Sequence, residues 1–125
     1  MPTMPSIMIV EDDPDTREML ERFLQLEGFD VRTAANGQLA LQSLQSDCSL
    51  HVILLDLMMP VMNGWQFRQA QASDPRLSGI PVVVVTAAGA REDIPAIEAD
   101  GWISKPVDFD RLLETIVPLC TRAQP

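Results

Sequence analysis

The chain has 125 residues, 46% of them apolar, which suits one domain whose core buries roughly two-thirds of the unfolded surface. No apolar run approaches the roughly twenty residues needed to cross a bilayer, and the opening Met1-Pro2-Thr3-Met4-Pro5-Ser6 lacks the basic and apolar segments of a secretory leader, so no membrane is expected and the cytoplasm is the expected location. Eighteen acidic against nine basic residues give a formal charge of −9, which argues against direct nucleic-acid binding and for a protein partner. Cys48 and Cys120 are too few for a disulfide framework and lack metal-ligand spacing, so reduced thiols are expected.

In chain order, Ile7-Met8-Ile9-Val10 is an unbroken apolar strand that stops at Glu11-Asp12-Asp13. Asp13 and Pro14 form a helix start, with Asp13 as N-cap and Pro14 at the first helical position, and Asp15 suits the positive end of the helix dipole. Met19, Leu20, Phe23 and Leu24 recur at helical spacing until Gly28 ends the helix. Phe29 to Thr33 reads as a second strand, Asn36-Gly37 as a turn, and Leu39, Ala40, Leu41 and Leu44 as the inner face of a second helix. His51, the only histidine, opens the next strand away from the acids and is expected to be structural.

Val52-Ile53-Leu54-Leu55 is apolar throughout, as in a strand buried on both faces of a parallel sheet, and it ends in Asp56. Pro60 and Asn63-Gly64 then mark a tight exit. Trp65 to Ala72 predicts a third helix, and Val82-Val83-Val84-Val85 a fourth strand ending in Thr86. Glu92-Asp93 can begin a fourth helix, which Pro95 forces to start late or stay short. Gly101-Trp102-Ile103-Ser104 predicts a fifth strand ending at Lys105-Pro106, and Leu112, Leu113, Ile116 and Val117 a last helix from Asp108 that stops or frays near Pro118.

Five strand-then-helix units imply an α/β fold: a five-stranded parallel sheet with helices on both faces, doubly wound and flavodoxin-like. Right-handed crossovers place every strand's carboxyl end on one rim, so Glu11, Asp12, Asp56, Thr86 and Lys105 are expected to meet there. Clustered carboxylates repel and call for a cation. Mg²⁺, or Mn²⁺ in its place, suits such oxygen ligands. Asp12 and Asp56 would bind it directly, Glu11 through a water, and the backbone carbonyl of Met58 would add a further oxygen. With Thr86 as hydroxyl donor and Lys105 as cation, such a rim would hold a phosphoryl group for attack by Asp56.

These residues resemble the receiver domain of two-component response regulators. The resemblance runs from Ile7 to about Leu119 and rests on Val10-Glu11-Asp12, on Asp56-Leu57-Met58-Met59-Pro60-Val61-Met62-Asn63-Gly64, on Thr86-Ala87 and on Lys105-Pro106. It implies a receiver over residues 7–120, with an N-terminal extension at 1–6 and a tail at 121–125. It further implies Mg²⁺-dependent phosphorylation of Asp56 by a sensor histidine kinase or histidine phosphotransfer protein, a self-catalysed reaction rather than enzymatic turnover of a separate substrate. A cis Lys105-Pro106 bond is implied too. So is a switch in which Thr86 moves to the phosphoryl group and the aromatic residue of the fifth strand, here Trp102, turns inward. That switch would reshape the face made by the fourth helix, fifth strand and fifth helix, where an output partner or a second copy of the chain would bind. Trp102, where Tyr or Phe is more usual, and Pro95 are departures from the pattern.

Four other functions compete. A phosphatase with an aspartate nucleophile expects a second Asp where Met58 stands; a flavodoxin-type carrier expects a phosphate-cradling loop after the first strand, where Glu11-Asp12-Asp13 would repel phosphate; a nucleotide switch expects a Gly-rich, Lys-containing loop, which the sequence lacks. The fourth is a receiver-like platform that binds proteins without being phosphorylated, and Trp102 and Pro95 keep it open.

Overall fold

The computed structural model describes residues 5–57, 59, 61–87 and 99–122. Five parallel strands, β1 (Ser6–Val10), β2 (Asp30–Ala34), β3 (Val52–Asp56), β4 (Val82–Ala87) and β5 (Gly101–Lys105), form one sheet in the order β2-β1-β3-β4-β5. Helices α1 (Pro14–Leu26), α2 (Gly37–Ser46), α3 (Gly64–Ala72) and α4 (Phe109–Arg122) accompany them. The expected fourth helix, with Glu92-Asp93 and Pro95, lies outside the described residues, as do Met58, Pro60 and Ala88.

The apolar runs of the central strands are unbroken because both faces of the sheet are covered. Ile7, Ile9, Val52, Leu54, Val83, Val85 and Ile103 pack on one side with Leu20 and Leu24 of α1 and Leu112 and Ile116 of α4. Met8, Val10, Ile53, Leu55, Val82 and Val84 face the other way, against Ala40 and Leu44 of α2 and Phe67 of α3. Each such aliphatic side chain, fully buried, contributes roughly 1.5–3 kcal/mol relative to exposure.

The helix starts follow the local chemistry. Asp13 caps α1 by accepting from the Thr16 N–H at 3.1 Å, with Pro14 in the first turn, and Gly28 closes that helix at φ +96°, a conformation that costs glycine little. Asn63 caps α3 reciprocally with Gln66, each side chain accepting the other's backbone N–H at 2.9 Å. His51 has the structural role expected of it: its Nδ1 accepts from the Ser6 N–H at 3.0 Å and its own N–H donates to the Ser6 carbonyl at 2.8 Å, tying the starts of β1 and β3.

Several local expectations need correction. Asn36-Gly37 is not a turn between elements; Asn36 caps α2 by accepting from the Leu39 N–H at 2.9 Å, and Gly37 is the first helical residue. Glycine fits there because a Cβ would lie 2.9 Å from Met62 Cγ. Met19 and Leu39, expected on inner faces, are 43% and 46% exposed, because each lies one position off the stripe set by Leu20 with Leu24 and by Ala40 with Leu44. The second strand is shifted by one residue, since Phe29 turns into the core from the connection while Asp30 opens the pairing with Ser6.

The last helix neither stops nor frays near Pro118 but continues to Arg122. Leu119 and Cys120, just past the proline, are buried in the core on the α1 side, and that burial offsets the missing Pro118 N–H. Pro118 itself is exposed, so Pro118→Ala should raise stability in urea unfolding by about 1–3 kcal/mol; a loss of stability would show that the ring is needed where it stands. Burial pushes the Cys120 thiol up to about 11, so at pH 8 it stays protonated and unreactive. A thiol reagent should therefore modify Cys120 only after unfolding; rapid labelling of Cys120 in the native chain would contradict this packing.

Candidate functional site

The strand order reverses between β1 and β3, since α1 leads out to β2 and α2 returns on the far side of β1. A crevice opens at such a point beyond the carboxyl ends of the strands. The register pairs Val10 with Leu55, so Glu11 follows β1 directly beside Asp56 at the end of β3. Carboxylate oxygens of Glu11, Asp12 and Asp56 all lie within 4.8 Å of one another. Glu11 is 2% and Asp56 5% exposed, so their charges are largely withdrawn from water.

Lys105, the single lysine of the chain, supplies the compensating charge from the end of β5. Its Nζ lies 2.6 Å from Glu11 Oε1 and 3.5 Å from Asp56 Oδ2. Burial, aided by the neighbouring Asp56 carboxyl, lifts the Glu11 pKa above the ordinary glutamate value against the pull of Lys105. Burial also works against the Lys105 ammonium, but the hydrogen bond to Glu11 and the charge of Asp56 outweigh it, and its pKa is held above the ordinary lysine value. The Lys105–Pro106 peptide bond is cis.

Thr86 sits at the end of β4, one residue beyond the Val85 that pairs with Asp56. It is 2% exposed, and among the described residues its Oγ1 has no hydrogen-bond partner. A buried hydroxyl left unsatisfied costs about 1–3 kcal/mol, so Thr86 is a donor at the rim still in want of an acceptor. Trp102 pairs in register with Val84 and packs partly buried beside the core on the α2 and α3 side. The rim therefore gathers Glu11, Asp12, Asp56, Thr86 and Lys105, while Trp102 lies further back along β5. The Met58 carbonyl is outside the described residues.

Arg17 escapes a reading of residue letters, and Gly64, read there only as part of a tight exit, proves to stand at a close approach. Arg17, on α1, donates from Nη1 to the carbonyl oxygens of Glu11 at 2.8 Å and Asp12 at 3.3 Å; its only sequence signal is a basic residue shortly after an acidic turn, and many helices carry one. Gly64 returns the chain close behind Asp56, its N–H donating to the Leu57 carbonyl at 3.0 Å. A Cβ there would lie 2.7 Å from Leu57 Cα and 2.8 Å from the Asp56 carbonyl oxygen.

A parallel sheet with an acid cluster, a hydroxyl and an ammonium at its switch point defines a signalling α/β module, and the comparisons with known proteins agree. The sequence profile of the response regulator receiver domain matches residues 7–117, and the chain belongs to that family. It is 37% identical over 125 residues to the transcriptional regulatory protein CpxR homolog of Haemophilus influenzae, covering 96% of this chain and 52% of that protein; the chain thus spans about half the length of such relatives. The chemotaxis response regulator CheY4 of Vibrio cholerae superposes with a TM-score of 0.84 at 32% identity, over 94% of this chain and 99% of that one. The response regulator TrrA of Thermotoga maritima, whose structure is a complex with Mg²⁺ and BeF, gives 0.82 at 31% identity, over 93% and 99%.

Overpacking of this kind costs about 1–3 kcal/mol, so Gly64→Ala should lower stability by that much in urea unfolding. Wild-type stability would show that the close approach behind Asp56 is not a constraint.

Proposed function

We propose that the chain accepts a phosphoryl group on Asp56 from a phosphohistidine of a sensor kinase or histidine phosphotransfer protein. The observation that carries this reading is the convergence of two further carboxylates, those of Glu11 and Asp12, and the single lysine on the Asp56 side chain. In the transfer, an Asp56 oxygen attacks phosphorus, the P–N bond to the donor imidazole breaks, and the imidazole leaves with the electron pair and takes up a proton. The chain itself is the acceptor and turns over no separate substrate.

The acid cluster fits a hard divalent ion, Mg²⁺ or Mn²⁺. Asp12 and Asp56 would hold it directly and Glu11 through a water, with the Met58 carbonyl as a further oxygen. Such an ion supplies charge neutralisation at the phosphoryl oxygens. Lys105 serves twice, because its ammonium, on Glu11 in the resting chain, passes to the phosphoryl group as that charge arrives. Thr86 donates its unpartnered hydroxyl to another phosphoryl oxygen. Its movement frees space on the sheet face that it shares with Trp102, so the indole can turn inward and alter the face around β5 that meets an output partner or a second copy. The core packing supports an independently folding receiver over residues 7–120, carried by α4 as far as Arg122.

Incubation of the chain with Mg²⁺ and acetyl phosphate should add one phosphoryl group by intact mass, removable by hydroxylamine. Asp56→Asn should abolish the addition, and Lys105→Met or Thr86→Ala should slow it at least tenfold. An unchanged mass in folded wild type would overturn the assignment in favour of a platform that is not phosphorylated.

A further inference from the structure

The phosphoryl-transfer reading leaves one charged contact at the rim unused. Glu11 is buried, its N–H donates to the Ala34 carbonyl at 3.0 Å, and the registers of β1 with β2 and with β3 both end at Val10. The carbonyls of Glu11 and Asp12 therefore fall beyond both ladders, where a buried acceptor needs a donor from elsewhere. Arg17 provides it, with one guanidinium nitrogen 2.8 Å from the Glu11 oxygen and 3.3 Å from that of Asp12. Its own N–H donates to the Asp13 carbonyl at 2.9 Å, so the bracing side chain is anchored in the helix that Asp13 caps.

We propose that Arg17 is a positioning residue for the divalent-cation ligands, fixing the two peptide planes from which the Glu11 and Asp12 carboxylates project. The inference rests on the cation reading given above. Arg17 differs in kind from Lys105: the ammonium occupies carboxylate oxygens and must give way to a cation, whereas the guanidinium bonds to carbonyls and leaves every carboxylate oxygen available. A planar guanidinium, with its donors fixed in a rigid fork, suits a permanent brace.

Electrostatics alone and positioning predict opposite signs. Removing a positive charge beside a dication site should tighten Mg²⁺ binding by Coulomb's law, whereas losing the brace should weaken it. In calorimetric titration of the full chain with Mg²⁺, at a temperature where circular dichroism shows each protein folded, Arg17→Met should bind about tenfold more weakly than wild type. Arg17→Lys, which keeps a donor within reach of the same carbonyls, should recover most of that loss. The Asp13 amide, which donates to Glu11 Oε2 at 3.2 Å, should exchange with solvent at least tenfold faster in Arg17→Met, with the amides of β3 unaffected. Unchanged or tighter Mg²⁺ binding by Arg17→Met, whatever its melting temperature, overturns the positioning role alone. A wild type that takes up no Mg²⁺ overturns the cation reading and this inference with it.

Discussion

Two carboxylates and one ammonium, withdrawn from water at the end of a parallel sheet, are the constraint around which the rest of this molecule is arranged. Glu11 and Asp56 repel each other across the switch point, and burial makes that repulsion costlier than it would be in solvent. Lys105 offsets it by touching both. The ammonium has to cross the end of β4 to do so, because β5 lies two strands from β3 and strands are spaced about 4.8 Å apart. Ala87 is the residue of β4 paired in register with Lys105. An ion pair so deeply placed adds little net stability, yet breaking it by removing one partner leaves a buried charge exposed to its neighbours. The ion pair thus fixes the geometry of the rim more than it stabilises the chain, and it engages the groups that the proposed phosphoryl transfer would rearrange.

The loop between Asp56 and α3 carries a related tension. Val61 has φ +68° and is 72% exposed. A β-branched residue in the left-handed region costs roughly 1–2 kcal/mol, and its exposed side chain gains little packing in return. The loop is tolerated because both of its ends are pinned, by the close approach of Gly64 to Leu57 and by the reciprocal capping of Asn63 and Gln66. Met62 adds a third anchor where its carbonyl accepts the Gly37 N–H at 3.4 Å. Strain in the exit from β3 therefore sits between rigid neighbours and close to the chemistry.

Much of this was legible in the letters because the physics involved is local. An unbroken aliphatic run such as Val52 to Leu55, rich in β-branched residues and too short for a helix between its turn signals, suits a doubly covered strand, and an acid at its end has to lie on the rim once the crossovers share one hand. Asp13-Pro14 announced a helix start for the same reason. What escaped depends on contacts between distant segments. Leu119 and Cys120 hold a helix together past Pro118 through the core, which no propensity records. Asn36-Gly37 has the letters of a turn, but Asn36 caps α2 and Gly37 is the first residue of that helix, where the distant Met62 leaves no room for a Cβ. Arg17 has the spacing of an ordinary surface residue on a helix, and only the folded turn brings the carbonyls of Glu11 and Asp12 to it.

Because Lys105 is the only lysine, selective ¹⁵N-lysine labelling yields a single side-chain ammonium resonance, and that signal tests the shared ion pair at the centre of this account most directly. The account predicts an ammonium signal protected from rapid solvent exchange in the resting chain. It should shift on addition of Mg²⁺ with fluoroberyllate, a phosphoryl mimic, and stay still under the same addition in Asp56→Asn. A signal lost to fast exchange, as for a lysine in open solvent, or one indifferent to the mimic in the wild-type chain, would contradict it.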